Sequence, residues 1–229
     1  MSGKKWIITI DGPAGSGKST VARLLAQEWE FLYLDTGALY RAVACKMIAA
    51  KLTADMGEFK TFLGNTKIDL RRQGNDLRVF LDQEDVSAKI RTEEVAMMAS
   101  TISALPVVRE ALLPIQRECA CDGGVVAEGR DMGAVVFPHA DFKFYLHASA
   151  EERANRRYGE LAAQKEKVDY ETIRKGIMLR DKQDMERAAA PLRVPDGAHV
   201  IDSSLMTIAD VLLAINAVLR RGAPENGRK

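Results

Sequence analysis

Residues Gly12 to Ser19, GPAGSGKS, combine glycine, lysine and a hydroxyl in an order suited to binding a polyphosphate. The stretch satisfies G-x-x-x-x-G-K-[ST], follows an apolar run and opens an apolar-periodic helix. That context separates a phosphate loop from a fortuitous glycine turn. Glycines let backbone N–H groups wrap the anion, and the positive end of the following helix points at it. Gly12, Pro13, Ala14, Gly15, Ser16, Gly17, Lys18, Ser19 and Thr20 are therefore the candidate cradle for ATP or GTP. Lys18 is expected to bridge β- and γ-phosphate oxygens, and the Ser19 hydroxyl to ligate a Mg²⁺ ion on the same oxygens.

Such a loop is shared by GTPases, motors, transporter subunits and small-molecule kinases, so other residues must decide. The chain has no N-K-x-D guanine-reading segment and no L-S-G-G-Q segment, and 229 residues is short for a helicase core, which favours a small kinase. Thr36, Tyr40 and Arg41, in the segment that begins at Asp35, supply a hydroxyl, a phenol and a guanidinium suited to a phosphate monoester. The plainer reading there is a helix cap with a surface arginine. In Glu128-Gly129-Arg130-Asp131, Arg130 suits a phosphate and Asp131 a base amine, although a structural ion pair explains the two about as well. Arg180, Asp184 and Arg187 share one helix face, usually the mark of a solvated salt-bridge ladder. With Arg153, Arg156 and Arg157 on the preceding helix and a polar link from Gln164 to Tyr170, the same face can belong to a lid that closes over ATP and excludes water.

These residues must be positioned by the elements around them. Short apolar runs at Trp6 to Ile10, Phe31 to Leu34, Val125 to Ala127, Phe142 to Leu146 and His199 to Ile201 read as strands, separated by helical patterns. The alternation predicts a parallel sheet flanked by helices. Predicted helices include Ser19 to Glu30, one capped by Thr36 and running to about Lys51, and Glu93 to Ala104 and Val107 to Ala120, divided by Pro106. KIDLRR and LRVFLD around Gln73-Gly74-Asn75-Asp76 break the rhythm with a β-hairpin pattern, an insert expected to project over one edge of the site and to move with the acceptor. The layout is one domain over 1–220, with an insert at 56–104, a lid at 153–187 and a disordered tail at 221–229.

Composition agrees with a single globular unit: 47% of residues are hydrophobic and 28% charged, enough for a sizeable core. A net charge of +1 argues against broad affinity for nucleic acid or anionic membrane. Cys45, Cys119 and Cys121 read as small apolar residues of a reducing compartment, and the histidines have no zinc spacing with them, so no metal is assigned to protein ligands alone. The apolar run near the start is too short for a signal peptide and no segment reaches a membrane span, which predicts a cytoplasmic protein. A monomer is the expectation, although near-neutral charge also permits self-association.

GPAGSGKST, LDTGALYR, EDVSAKIRTEEV, VVREALLPIQR, EGRDMGAVVFPHA, SAEERANRR and RD…RAAAPL stand in an order and spacing that resemble the bacterial cytidylate kinases, of the nucleoside monophosphate kinase family, over nearly the whole chain. The resemblance implies an α/β P-loop fold with a five-stranded parallel sheet flanked by helices, a small antiparallel β-containing insert and a short helical lid. It implies transfer of the γ-phosphoryl group of ATP to CMP or dCMP, giving CDP or dCDP and ADP, with Mg²⁺ accompanying ATP. By the same resemblance the acceptor site is Thr36, Tyr40, Arg41, Ser100, Arg109, Arg130, Asp131, Arg180, Asp184 and Arg187. Ser100, Arg109 and Asp131 would face cytosine, Arg41 and Arg130 the acceptor phosphate, and Arg180 and Asp184 the ribose. Lys18, Arg41, Arg130, Arg180 and Arg187 would surround the transferred group, and Arg157 would reach ATP. Thr36 replaces the relatives' serine but keeps the hydroxyl, whereas Gln183 and Met185 stand where some relatives have arginines. From the residues alone, another acceptor such as UMP and a non-catalytic P-loop switch stay open.

Overall fold

The computed structural model describes residues 5–52, 56–163 and 168–222, with no side-chain description for 56–58. Five parallel strands form the main sheet: β1 (Ile7–Asp11), β2 (Leu32–Asp35), β6 (Val125–Gly129), β7 (Phe142–His147) and β8 (His199–Asp202), in the order β2-β6-β1-β7-β8. Strand alternation sends Ile8 and Ile10 of β1 to one face, where they pack with Val21 and Leu25 of α1 (Lys18–Glu28) and Ile215 and Leu219 of α8 (Ile208–Gly222). The opposite face carries Leu34, Val125, Ala127, Met132, Val136 and Phe137.

The insert is larger than the hairpin seen in sequence. After α2 (Thr36–Ala49) come α3 (Met56–Gly64), β3 (Ile68–Gln73), β4 (Asp76–Leu81), β5 (Glu84–Asp85), a 3₁₀ turn (Lys89–Arg91), α4 (Glu93–Ile102) and α5 (Pro106–Glu118). Leu39, Val43 and Met47, spaced to share one face of α2, meet Phe59, Ile90, Ile102 and Leu112 in a separate core. The three-stranded antiparallel sheet turns at Gly74, whose φ of +64° favours glycine. The Asn75 carbonyl of that turn accepts from the Tyr33 amide of β2 at 2.9 Å. The hairpin therefore docks on the open edge of the main sheet, and it is the 3₁₀ turn and α4 that reach the central cleft.

Other expectations are corrected at element ends. Asp35 rather than Thr36 caps α2, its carboxylate accepting from the Ala38 N–H at 3.1 Å, because Thr36 Oγ1 is engaged with the Glu128 carbonyl at 2.8 Å. Pro106 does not separate two helices as a breaker; it is the first residue of α5, where a missing N–H costs nothing. Arg221 and Gly222, assigned to the tail, end α8, and 223–229 lie outside the described residues. So do 164–167 of the polar link, while Tyr170 already starts α7 (Tyr170–Glu186) after α6 (Ala150–Ala163). Among the described residues no single helix is long and apolar enough to cross a membrane.

Arg153, grouped in sequence with the lid arginines, faces inward and is 4% exposed. Its guanidinium grips both oxygens of Asp181 on α7 at 3.0 and 2.6 Å and donates to the Ala14 carbonyl of the loop at 3.0 Å. It ties α6 and α7 to the phosphate loop. Replacing Arg153 with Met leaves Asp181 buried and uncompensated, so urea unfolding is expected to show a loss of about 3–5 kcal/mol.

Candidate active site

The loop between β1 and α1 takes its shape from two backbone constraints. A Cβ on Gly12 would lie 2.2 Å from the Leu146 carbonyl of β7, so only glycine lets the chain leave the sheet there. Gly17, at φ +89°, caps α1 and turns the first helical N–H groups toward the loop. Inside this turn the Lys18 ammonium donates to the Pro13 carbonyl at 3.0 Å and lies 4.0 Å from Glu128. Burial first, then Arg130, push Lys18 down to about 7, against the pull of Glu128 and Asp184.

A cleft of about 330 Å³ opens beside Lys18 along the carboxyl ends of β1, β2 and β6. Every residue assigned to the acceptor lines it: Thr36, Tyr40 and Arg41 from α2, Ser100 and Arg109 from α4 and α5, Arg130 and Asp131 after β6, and Arg180, Asp184 and Arg187 from α7 and its end. Of the phosphate-loop set, Ala14, Gly15, Lys18 and Ser19 line the cleft, together with Arg157. Gly12, Pro13 and Ser16 are buried and shape the turn from behind. Thr20 instead borders an adjoining cavity of about 460 Å³ with Arg156, one of the arginines read as a lid, and with Met206, Thr207 and Ile208, which no sequence motif singled out.

Each cleft cation is held by a carboxylate. Arg41 pairs with Asp35 at 2.7 Å, Arg130 with Asp184 at 2.7 Å, and Arg109 with Asp131, which Arg187 also approaches at 3.5 Å. Glu93 of α4 receives both Arg157 and Arg180 at 3.4 Å, and Ser100 donates to Gln183, so α4 meets α6 and α7 over the cleft. Burial raises Asp35, but Arg41, Arg91 and the Ala38 amide outweigh it and hold the carboxyl below its usual range. For Asp131 burial prevails over Arg109 and Arg187, and its pKa stays raised. Arg41 Nε is buried and makes no hydrogen bond, leaving a donor free for an anion, whereas Arg187 Nη2, also without a hydrogen bond, faces Asp131 Oδ1 at 3.5 Å.

Three comparisons bear on this arrangement. The sequence model of the cytidylate kinase family matches residues 8–221. The chain belongs to the cytidylate kinase family. A cytidylate kinase of Pelotomaculum thermopropionicum is 48% identical, covering 95% of this chain and 97% of that one. A second, from Chloroherpeton thalassium, is 46% identical over 93% and 92%. Among solved structures, a gluconokinase from Sinorhizobium meliloti is similar with a TM-score of 0.50 at 14% identity, covering 96% and 94%, a likeness of fold alone.

Sequence reading of this family member missed Asp35, Arg91, Glu93 and Glu128 as cleft residues. Asp35 and Glu128 each begin a segment singled out for chemistry, and charge at a strand's carboxyl end was the available signal. Glu93 and Arg91 lie at the start of α4 and just before it, and no spacing in the sequence links them to the lid arginines.

The Lys18 environment gives a proton-linkage prediction. At pH 8 the ligand-free ammonium, with its pKa near 7, is mostly neutral, and polyphosphate oxygens favour the charged form. Binding of a nucleoside triphosphate without divalent metal is therefore expected to take up protons. Calorimetry in buffers of different ionisation enthalpy measures the uptake, which disappears in Lys18→Met.

Proposed function

We propose that this protein transfers the γ-phosphoryl group of ATP to CMP or dCMP, giving CDP or dCDP and ADP. The observation that carries the reading is the convergence of all the acceptor residues on one cleft beside Lys18, with a buried donor of Arg41 left without a hydrogen bond. Membership of the cytidylate kinase family supports the choice of acceptor.

An acceptor phosphate at neutral pH is already an anion, so no general base is needed. The enzyme must overcome anion–anion repulsion, align the two oxygens in line and stabilise charge spread over the transferred group. Lys18, with its short tether to the Pro13 carbonyl, is placed to follow the β- and γ-phosphates. Arg41 and Arg130 would take the acceptor phosphate, and Arg180 and Arg187 would close on it from the lid. The exposed Ser19 hydroxyl opening α1 is a hard oxygen donor beside the phosphate site and fits Mg²⁺. When bound with ATP, that ion supplies charge neutralisation between phosphate oxygens. Arg156, Met206 and Ile208 offer the adenine a cationic and apolar seat outside the loop.

Cytosine presents an amine donor where uracil has a carbonyl, and a carboxylate accepts from the first and repels the second. Asp131, held between Arg109 and Arg187, is the proposed reader. Ser100 and Arg109 would complete the base contacts, and Arg180 and Asp184 the ribose contacts. In this reading 56–104 is the monophosphate-binding insert, 153–187 is the lid, and the enzyme works as a cytoplasmic monomer.

The first test is ADP release with ATP and Mg²⁺ on CMP, dCMP, UMP, AMP, GMP or no acceptor, with the product identified. Transfer to CMP and dCMP is expected; equal release without acceptor would sink the reading. Lys18→Met is expected to abolish turnover with the fold intact. Asp131→Asn is expected to lose about 1–3 kcal/mol of preference for CMP over UMP, roughly five- to hundred-fold in relative kcat/KM, while ATP affinity is kept.

A further inference from the structure

Asp11 is the last residue of β1, pairing in register with Gly129 of β6 and Tyr145 of β7. It is fully buried, and strand alternation places it on the face of β1 shared by Ile7 and Thr9, away from α1 and α8. Its carboxylate never reaches the cleft. One oxygen accepts from the Met132 amide at 2.7 Å and the other from the Gly133 amide at 2.8 Å.

Those amides open a π-helical turn (Met132–Val136) that follows Arg130 and Asp131 directly. Such a turn leaves its first N–H groups without partners inside it, and a buried carboxylate can satisfy two at once. The turn bonds back on itself through Asp131, whose carbonyl accepts from Val135 at 2.8 Å and Val136 at 3.2 Å. It also has little room to move: a Cβ on Gly133 would sit 3.0 Å from Thr9 Oγ1 and 3.1 Å from Pro195. The Asp131 side chain is thus steered from both ends, by Arg109 and Arg187 at its carboxylate and by Asp11 beneath its backbone.

We infer that Asp11 is a positioning residue for acceptor recognition, clamping the turn that aims Asp131 and Arg130 into the cleft. The inference rests on the reading of Asp131 as the cytosine contact. It deepens that reading by moving part of the specificity to a residue that touches no substrate. Burial raises Asp11 to about 7, the Gly133 and Met132 amides opposing, with Asp131 adding to the rise and Arg130 reducing it. At pH 8 the carboxylate is therefore mostly ionised and both oxygens accept.

The test compares Asp11→Asn and Asp131→Asn with the parent at pH 8, by steady-state kinetics on CMP and UMP and by melting temperature. An asparagine is the same size but turns an N–H group toward one of the two amides, so the turn must shift. For Asp11→Asn, KM for CMP is expected to rise about tenfold and the CMP:UMP ratio of kcat/KM to fall about fivefold or more, in the range that small misplacement of a contacting group produces. KM for ATP is expected to stay within about twofold, since the Lys18 side of the loop is untouched. A merely structural role would lower the active fraction alone, reducing kcat equally for both acceptors with KM unchanged, and that result would overturn the proposal. Equal weakening of ATP and CMP would overturn it too, by assigning Asp11 to the phosphate loop. If Asp131→Asn leaves the CMP:UMP ratio unaltered, the reading of Asp131 fails, whatever Asp11 does. Should Asp11→Asn not fold, Gly133→Ala pushes the same turn from its other side by a few tenths of an ångström. It is then expected to raise KM for CMP severalfold, and an unchanged KM in that variant overturns the clamp.

Discussion

Gathering guanidinium groups and an ammonium in one partly dry cleft is the constraint on which the rest of this structure depends. Like charges repel, and each loses hydration, so without counter-charges the ligand-free fold would be driven apart. The chain answers with Asp35, Glu93, Glu128, Asp131 and Asp184, each set against a particular cation. Binding of phosphate anions then becomes an exchange of partners rather than a transfer of bare charge out of water. The carboxylates that hold the cleft together when empty also decide which donors are left over. The unpartnered Arg41 Nε is what remains once the internal pairs are made.

Parallel pairing puts those carboxylates where they are needed. With β1 between β6 and β7, the carboxyl ends of neighbouring strands open onto one crevice, as is general in open α/β sheets. Asp11, Asp35 and Glu128 all lie at such ends, yet only Asp35 and Glu128 face the crevice. Asp11 turns under it and fixes the chain that leaves β6. Helices α1 and α8 hold the sheet from one side, leaving the phosphate loop backed by packed aliphatic residues that keep its backbone in place.

The walls over the crevice come from parts of the chain distant in sequence. The hairpin that marks the insert is spent on covering the edge of β2, and α4 with its preceding turn supplies the wall. Arg153 of α6 is anchored to α7 through Asp181 on the buried side, while Glu93 meets Arg157 and Arg180 on the exposed side. Surface ion pairs of the second kind contribute little energy and exchange readily, and a buried bidentate pair of the first kind does not. Helices α6 and α7 are therefore held firmly where Arg153 meets Asp181 and more loosely where Arg157 and Arg180 meet Glu93.

The sequence by itself determined the phosphate-loop motif, the parallel sheet and the charged segments at the strand ends, because each is local: a loop spacing, an apolar run, a charge at a strand's end. Lys18, Arg41, Arg130 and Asp131 were legible for that reason, and the order of the segments made the family legible as well. Only the tertiary structure decided which arginine lines the cleft and which one braces. Arg153 and Arg157 lie four residues apart on one helix, yet packing buries the first on Asp181 and leaves the second in the cleft. Tertiary structure also assigned Glu93 to the lid arginines, Asp35 instead of Thr36 to the cap, and Asp11 to the turn after Asp131. Those partners are separated by up to 122 positions, and a carboxylate carries no mark in sequence of the distant N–H or guanidinium that the fold will bring to it.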